Sequence, residues 1–259
     1  AGFYFRSEQS FLNFFGSATF PKILVLEDVD FLCNFQSEET LQFQYLSSSP
    51  IQELSLKKSP HGVKECLRFI QWLPRLRSLR KLHLTLTTRL TPQYSFTKPL
   101  ETLLSFASIE ELEIEEGFIN IDFAAIGESL KHNASLRKFH FHPYAYHQPQ
   151  VLEAFRQAST LILDVLEDHN MTLQSIRVKP RDDALEIDPD IETKICYYET
   201  LNEYGRKAAR DPDTSISIFV QNLCCLIDTE PFIDKERCVY NLRYGLLRET
   251  PSIWCERFS

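Results

Sequence analysis

At 259 residues, 43% hydrophobic and 12% aromatic, the chain has material for one large or two ordinary domains, and this excludes global disorder. A net charge of −8 and a pI near 5.4 oppose duplex DNA or RNA binding, which needs a concentrated basic face to release counterions. The same acidity opposes docking on an anionic membrane, and no apolar run approaches the ~20 residues that span a bilayer.

Seven cysteines with no CxxC pair fit free thiols in a reducing compartment better than a disulfide framework. The first residues, AGFYFRSEQS, lack the basic flank and apolar core of a secretory signal, and a start at Ala rather than Met suggests a piece of something longer.

In chain order, one pattern recurs: an apolar residue, two variable ones, a second apolar one, one variable and a third apolar one. It reads FPKILV (20–25), IQELSL (51–56), LRKLHL (79–84), IEELEI (109–114), LRKFHF (136–141) and TLQSIRV (172–178). From Phe20 through Ile51, Leu79, Ile109 and Leu136 to Leu173 the steps are 31, 28, 30, 27 and 37 residues. Within each copy the period of two predicts a short strand buried on one face.

Between strands the spacing turns helical. Val63, Leu67, Ile70 and Leu73 share one helix face, Phe123, Ile126 and Leu130 another, and Leu152, Phe155, Leu163 and Leu166 suggest a longer helix inside the 37-residue step. LETLL (100–104) matches a groove-docking peptide motif, but on a repeat helix Leu100, Leu103 and Leu104 are wanted for the core. PYAYHQP (143–149) forms an aromatic, Pro-bearing loop in which Tyr144, Tyr146 and His147 are an ordinary insertion before they are contacts. In the acidic run 181–193, Asp188 is expected to cap a helix with Pro189 at its first position, since the run lacks the Gly turn and terminal Glu of a calcium loop.

Six approximate copies of a strand-helix unit resemble the leucine-rich repeat superfamily, specifically its ribonuclease-inhibitor-like type, which has a full helix per repeat. HNASLRKFHF (132–141) and HNMTLQSIRV (169–178) are similar to that type's polar turn and strand, with Asn133 and Asn170 before the strand. After residue 190 the period breaks. ICYYETLNEYGRKAARD (195–211) and VYNLRYGLLRETPSIW (239–254) resemble the C-terminal helical segment of a large set of diatom and algal leucine-rich repeat proteins.

The fold class expected is therefore α/β: a right-handed leucine-rich repeat solenoid over residues 1–189, with parallel strands on the concave side and helices on the convex side. An α-helical cap over 190–259 would cover the last repeat, as repeat arrays require. Its helices are marked by Ile191, Ile195, Tyr198 and Leu201, by Ile216, Val220, Leu223 and Ile227, and by Val239, Leu242 and Leu246.

The outward strand positions then read Glu53, Ser55, Lys57; Lys81, His83, Thr85; Glu111, Glu113, Glu115; Lys138, His140, His142; and Ser175, Arg177, Lys179. An acidic strand lies between two basic or His-bearing ones, with Glu111 between Lys81 and Lys138, and Glu113 between His83 and His140. The candidate partner contacts are Lys81, His83, Glu111, Glu113, Glu115, Lys138, His140, His142 and Arg177. A metal bound by His83, Glu113 and His140, with Glu115 and His142 one step along, is not expected, because ligands along a flat row spread over ~10 Å, more than two ~2.1 Å bonds bridge.

GxSxG, P-loop and dinucleotide fingerprints are absent, and seven glycines offer little for phosphate loops, so neither enzyme activity nor a cofactor is expected. The expectation is a non-catalytic protein-binding scaffold in an intracellular, first of all cytoplasmic, setting. Its partner would be another protein, with no nucleic acid and no membrane insertion. The alternative is a substrate-recruiting or assembly subunit of a larger complex whose active part lies elsewhere.

Overall fold

The computed structural model describes residues 3–5, 8–15, 21–31, 47–58, 67, 69–71, 73–86, 95–116, 121–143, 149–178 and 188–203. Among them is a seven-stranded, all-parallel sheet whose strands lie side by side in chain order. The strands are β1 (Phe3–Phe5), β2 (Ile23–Phe31), β3 (Glu53–Lys58), β4 (Lys81–Leu86), β5 (Glu111–Glu116), β6 (Lys138–Pro143) and β7 (Ser175–Val178). The described α-helices are α1 (Glu8–Phe15), α2 (Thr97–Leu104), α3 (Phe123–His132), α4 (Pro149–Asp164) and α5 (Pro189–Glu203). The protein is thus α/β. No helix of the described residues is long and apolar enough to cross a membrane.

Parallel neighbours need a crossover, and among the described residues successive helices pack together: α2 on α3, α3 on α4, and α4 on α5, which follows the last strand. The strands turn Leu54, Leu56, Leu82, Leu84, Leu112, Ile114, Phe139, Phe141, Ile176 and Val178 toward these helices, all 7% exposed or less. Leu100, Ile126, Leu130, Ala158 and Ile162 meet Phe139, Phe141 and Val178 from the helical side. Leu100, Leu103 and Leu104 are each 1% exposed, so LETLL is core and offers no docking face. Asp122 caps α3 by accepting from the amides of Ala124 and Ala125, and Lys131 and His132 occupy its last turn, where cations suit the dipole.

Strand β2 corrects the sequence pattern. FPKILV assigns Ile23 and Val25 to the core, yet they are 59% and 60% exposed, while Leu24 and Leu26 are buried. Leu24 pairs with Leu54 and Leu26 with Leu56, so the phase is one residue later than the pattern implied. Four apolar residues in a row satisfy either phase, and only pairing with β3 decides between them. Counted between the paired positions Leu24, Leu54, Leu82, Leu112, Phe139 and Ile176, the steps are 30, 28, 30, 27 and 37 residues. Strand β1 and helix α1 lie outside the sequence pattern altogether.

The turns before the strands are tied by side chains. Ser108 donates to the Leu79 carbonyl at 3.0 Å. Asn133 donates to the Leu104 carbonyl and accepts from the amides of Ser135 and Leu136. Asn170 donates to the carbonyls of Leu130 (2.7 Å) and Asn133 (2.8 Å) and accepts from Thr172 and Leu173. Both asparagines are therefore turn residues, as expected from their place before the strand.

Helix α5 begins as the sequence predicts: Pro189 is its first residue, and Asp188 accepts from the Asp190 amide at 2.9 Å. It packs against α4 and β7 through Tyr198 and Leu201, which are buried, and Ile195, which is partly so. Its Asn202 donates to the carbonyls of Asn170 and Leu173, and its Glu199 carboxylate accepts the Ile176 amide of β7, blunting a sheet edge. Burial pushes the Glu199 carboxyl up, against the Ile176 amide and Arg177, which draw it down. The two later helices expected of the cap, and the 143–149 loop at Tyr144, Tyr146 and His147, lie outside the described residues.

Candidate functional site

The other face of the sheet is polar, because residues between the core positions point away from the helices. The register matches expectation: Lys81, Glu111 and Lys138 stand in one row, His83, Glu113, His140 and Arg177 in the next, and Thr85, Glu115 and His142 in the third. All nine candidate contacts thus share one face. They differ in access: Lys81 and Arg177 are exposed and the others half-buried, whereas His140 is 8% exposed and offers almost no area to a partner.

The ion pairs follow the rows only in part. Lys81 meets Glu111 at 2.9 Å and Glu53, on the strand before, at 4.0 Å. The bond to Glu111, followed by the charge of that carboxylate, holds the lysine above its ordinary value. Lys138 faces Glu111 across the strands, yet its ammonium reaches the Glu113 carboxylate, at 3.4 Å. Burial pushes Glu113 up, but Lys138, His83 and His140 outweigh it and leave the carboxyl below its usual range.

His140 is fixed by Ser175 of β7, whose hydroxyl lies 2.8 Å from its Nε2. Its ring stands edge-on to that of His142, with centroids 5.8 Å apart. Burial, then the nearby charges of Lys138 and Arg177 and the His142 ring, push the imidazole down to about 4 against the opposing pull of Glu113. His140 is therefore neutral near pH 7.

This carries a pH prediction. The unfolded chain takes up a proton on this histidine below about pH 6.5, and the folded chain does so only near 4. Stability present above 6.5 is lost as the pH falls from 6.5 toward 4. The shift corresponds to about 1–3 kcal/mol after allowance for solvent screening. In the presence of chelator, His140→Asn should lose less stability than the unaltered chain between neutral pH and pH 4, measured by thermal melts. Parallel pH profiles would refute the assignment.

Side-chain ends come together in a way that strand spacing does not convey. The ligand atoms of Glu113, His140 and His142 all lie within 4.8 Å of one another, and so do those of His83, Glu113 and Glu115. The row His83, Glu113, His140 that a flat-sheet argument tests is not the set that converges. Convergence runs diagonally, from one row to the next, because the long side chains lean along the strands. Thr85 joins the second cluster, with its hydroxyl 3.4 Å from His83 Nε2 and 3.5 Å from a Glu115 oxygen.

Sequence reasoning left four participants out of the candidate set. Ser175 and Thr85 occupy outward positions but look like spacers until their bonds to histidine are seen. Ile23 and Val25 line a shallow depression on this face with Glu53, Ser55, Lys81 and His83, and were hidden by the ambiguous phase of ILVL. Compared with known proteins, the chain matches no family model, no curated protein and no solved structure.

Proposed function

We propose that the chain is a non-catalytic protein-interaction module. In this reading it is a right-handed leucine-rich repeat solenoid of the ribonuclease-inhibitor-like type, with its polar sheet face as the concave, partner-binding surface. The strand order, the near-regular steps and the asparagine ties between successive turns support the repeat architecture.

The observation that carries the binding role is the pairing of two zones on one face. Ile23 and Val25, 59% and 60% exposed, stand beside the ion-paired lattice of Glu53, Lys81 and Glu111. Aliphatic side chains rimmed by charge suit a polypeptide partner: the apolar pair supplies buried contact, and the charge pattern supplies registry and on-rate. The partner this fits is an extended segment with one apolar side chain against Ile23 and Val25 and charges complementary to the lattice.

The test is retention from native extract on the immobilised full chain, compared with an Ile23→Ser, Lys81→Glu double variant. Both positions are exposed, so melting should change by no more than about 1 kcal/mol. A polypeptide held by the unaltered chain and released by the variant supports the proposal. One held equally by both places binding elsewhere.

A further inference from the structure

We propose that Glu113, His140 and His142 bind one divalent transition-metal ion, zinc being the best fit, on the polar face of the sheet, with a coordination position left toward solvent. Two imidazoles and one carboxylate form a ligand set that suits zinc, and three protein ligands leave room for a fourth donor.

The geometry is close to what such an ion needs. The three ligand atoms lie within 4.8 Å of one another. Two bonds of about 2.1 Å span at most about 4.2 Å, so closure takes less than an ångström per donor, within the reach of side-chain torsions. The backbone need not move, because Glu113 and His140 are paired across β5 and β6 and His142 lies two residues on, along the same face. Ser175 lies 2.8 Å from His140 Nε2, so Nδ1 is the nitrogen left for the ion, and the Ser175 bond then serves as the outer hydrogen bond that orients a metal-bound imidazole and fixes its tautomer.

Two features oppose the ion. Lys138 sits 3.4 Å from the Glu113 carboxylate and must share or release it, and Arg177 pairs with His140 across the strands. Glu115, beside His142, supplies compensating negative charge. The overlapping cluster of His83, Glu113 and Glu115 is the weaker site, since it has one imidazole and Thr85 already engages two of its members.

The test is calorimetric titration of the metal-free full chain with zinc chloride near neutral pH, with cobalt(II) as a spectroscopic probe. One equivalent should bind with micromolar or tighter affinity and give a visible ligand-field band. His142→Ala and Glu113→Gln should each weaken binding by at least about tenfold and remove the band, while His83→Ala should change affinity by less than about twofold. Thermal melts confirm that the variants are folded, and half-buried positions are chosen so that they will be. Affinity no better than millimolar overturns the proposal. So does binding that survives both substitutions, or that depends on His83 and not on His142.

Discussion

Leu112→Asp should abolish cooperative folding. Leu112 has 0% exposure and stands in β5 with Leu82 and Phe139 at the paired positions on either side. Its paired neighbours are apolar and it lies in the hydrophobic core, so a carboxylate there must be protonated or hydrated at the expense of packing. The cost exceeds about 4 kcal/mol, against a total stability of about 5–15 kcal/mol. Leu112→Ala leaves a cavity instead and should cost about 2–5 kcal/mol. One residue earlier, Glu111→Gln removes a partly exposed ion pair to Lys81 and should cost at most about 1 kcal/mol. Melts followed by circular dichroism should rank the variants in that order. The reverse ranking would mean that the two faces of β5 are inverted.

Two adjacent residues of one strand differ so much because the strand alternates, and that alternation made the fold legible. In ELEIEE and KLHLTL only one phase puts the aliphatics together, and the structure adopts it. In ILVL both phases do, and the wrong one was the more regular-looking. The rows of charge were legible for the same reason, since parallel strands a fixed step apart bring equivalent positions side by side. The convergence of Glu113, His140 and His142 was not, because strand spacing places Cα atoms and says nothing of where ligand atoms three or four bonds away will end. Nor was the burial of His140, nor its bond to Ser175 one strand away. Asn202 was missed because a polar residue on a helix reads as a wet face. Only the docking of α5 onto the turn before β7 shows that it faces carbonyls.

Asn170→Ala should cost about 3–5 kcal/mol, more than any other polar substitution among the described residues. Asn170 is 2% exposed and makes five bonds at once: its amide donates to Leu130 and Asn133, and its oxygen accepts from the Thr172 amide and hydroxyl and from the Leu173 amide. Truncation leaves buried backbone groups unsatisfied at about 1–3 kcal/mol each, less where water enters the space. Asn170→Asp separates bonding from packing. It keeps the volume and the acceptor but turns a donor into a carboxylate oxygen against two carbonyls, so it should destabilise at least as much as alanine. Near-native stability in Asn170→Asp would show that only volume matters there. The carbonyl of Asn133 is held by Asn170, and the carbonyl of Asn170 by Asn202, so the three form a chain from one turn to the next and into α5. If that chain is one cooperative unit, Asn170→Ala combined with Asn202→Ala should cost less than the sum of the single changes by at least about 0.5 kcal/mol. Additive losses in urea titrations would show instead that α5 docks independently of the turn it caps.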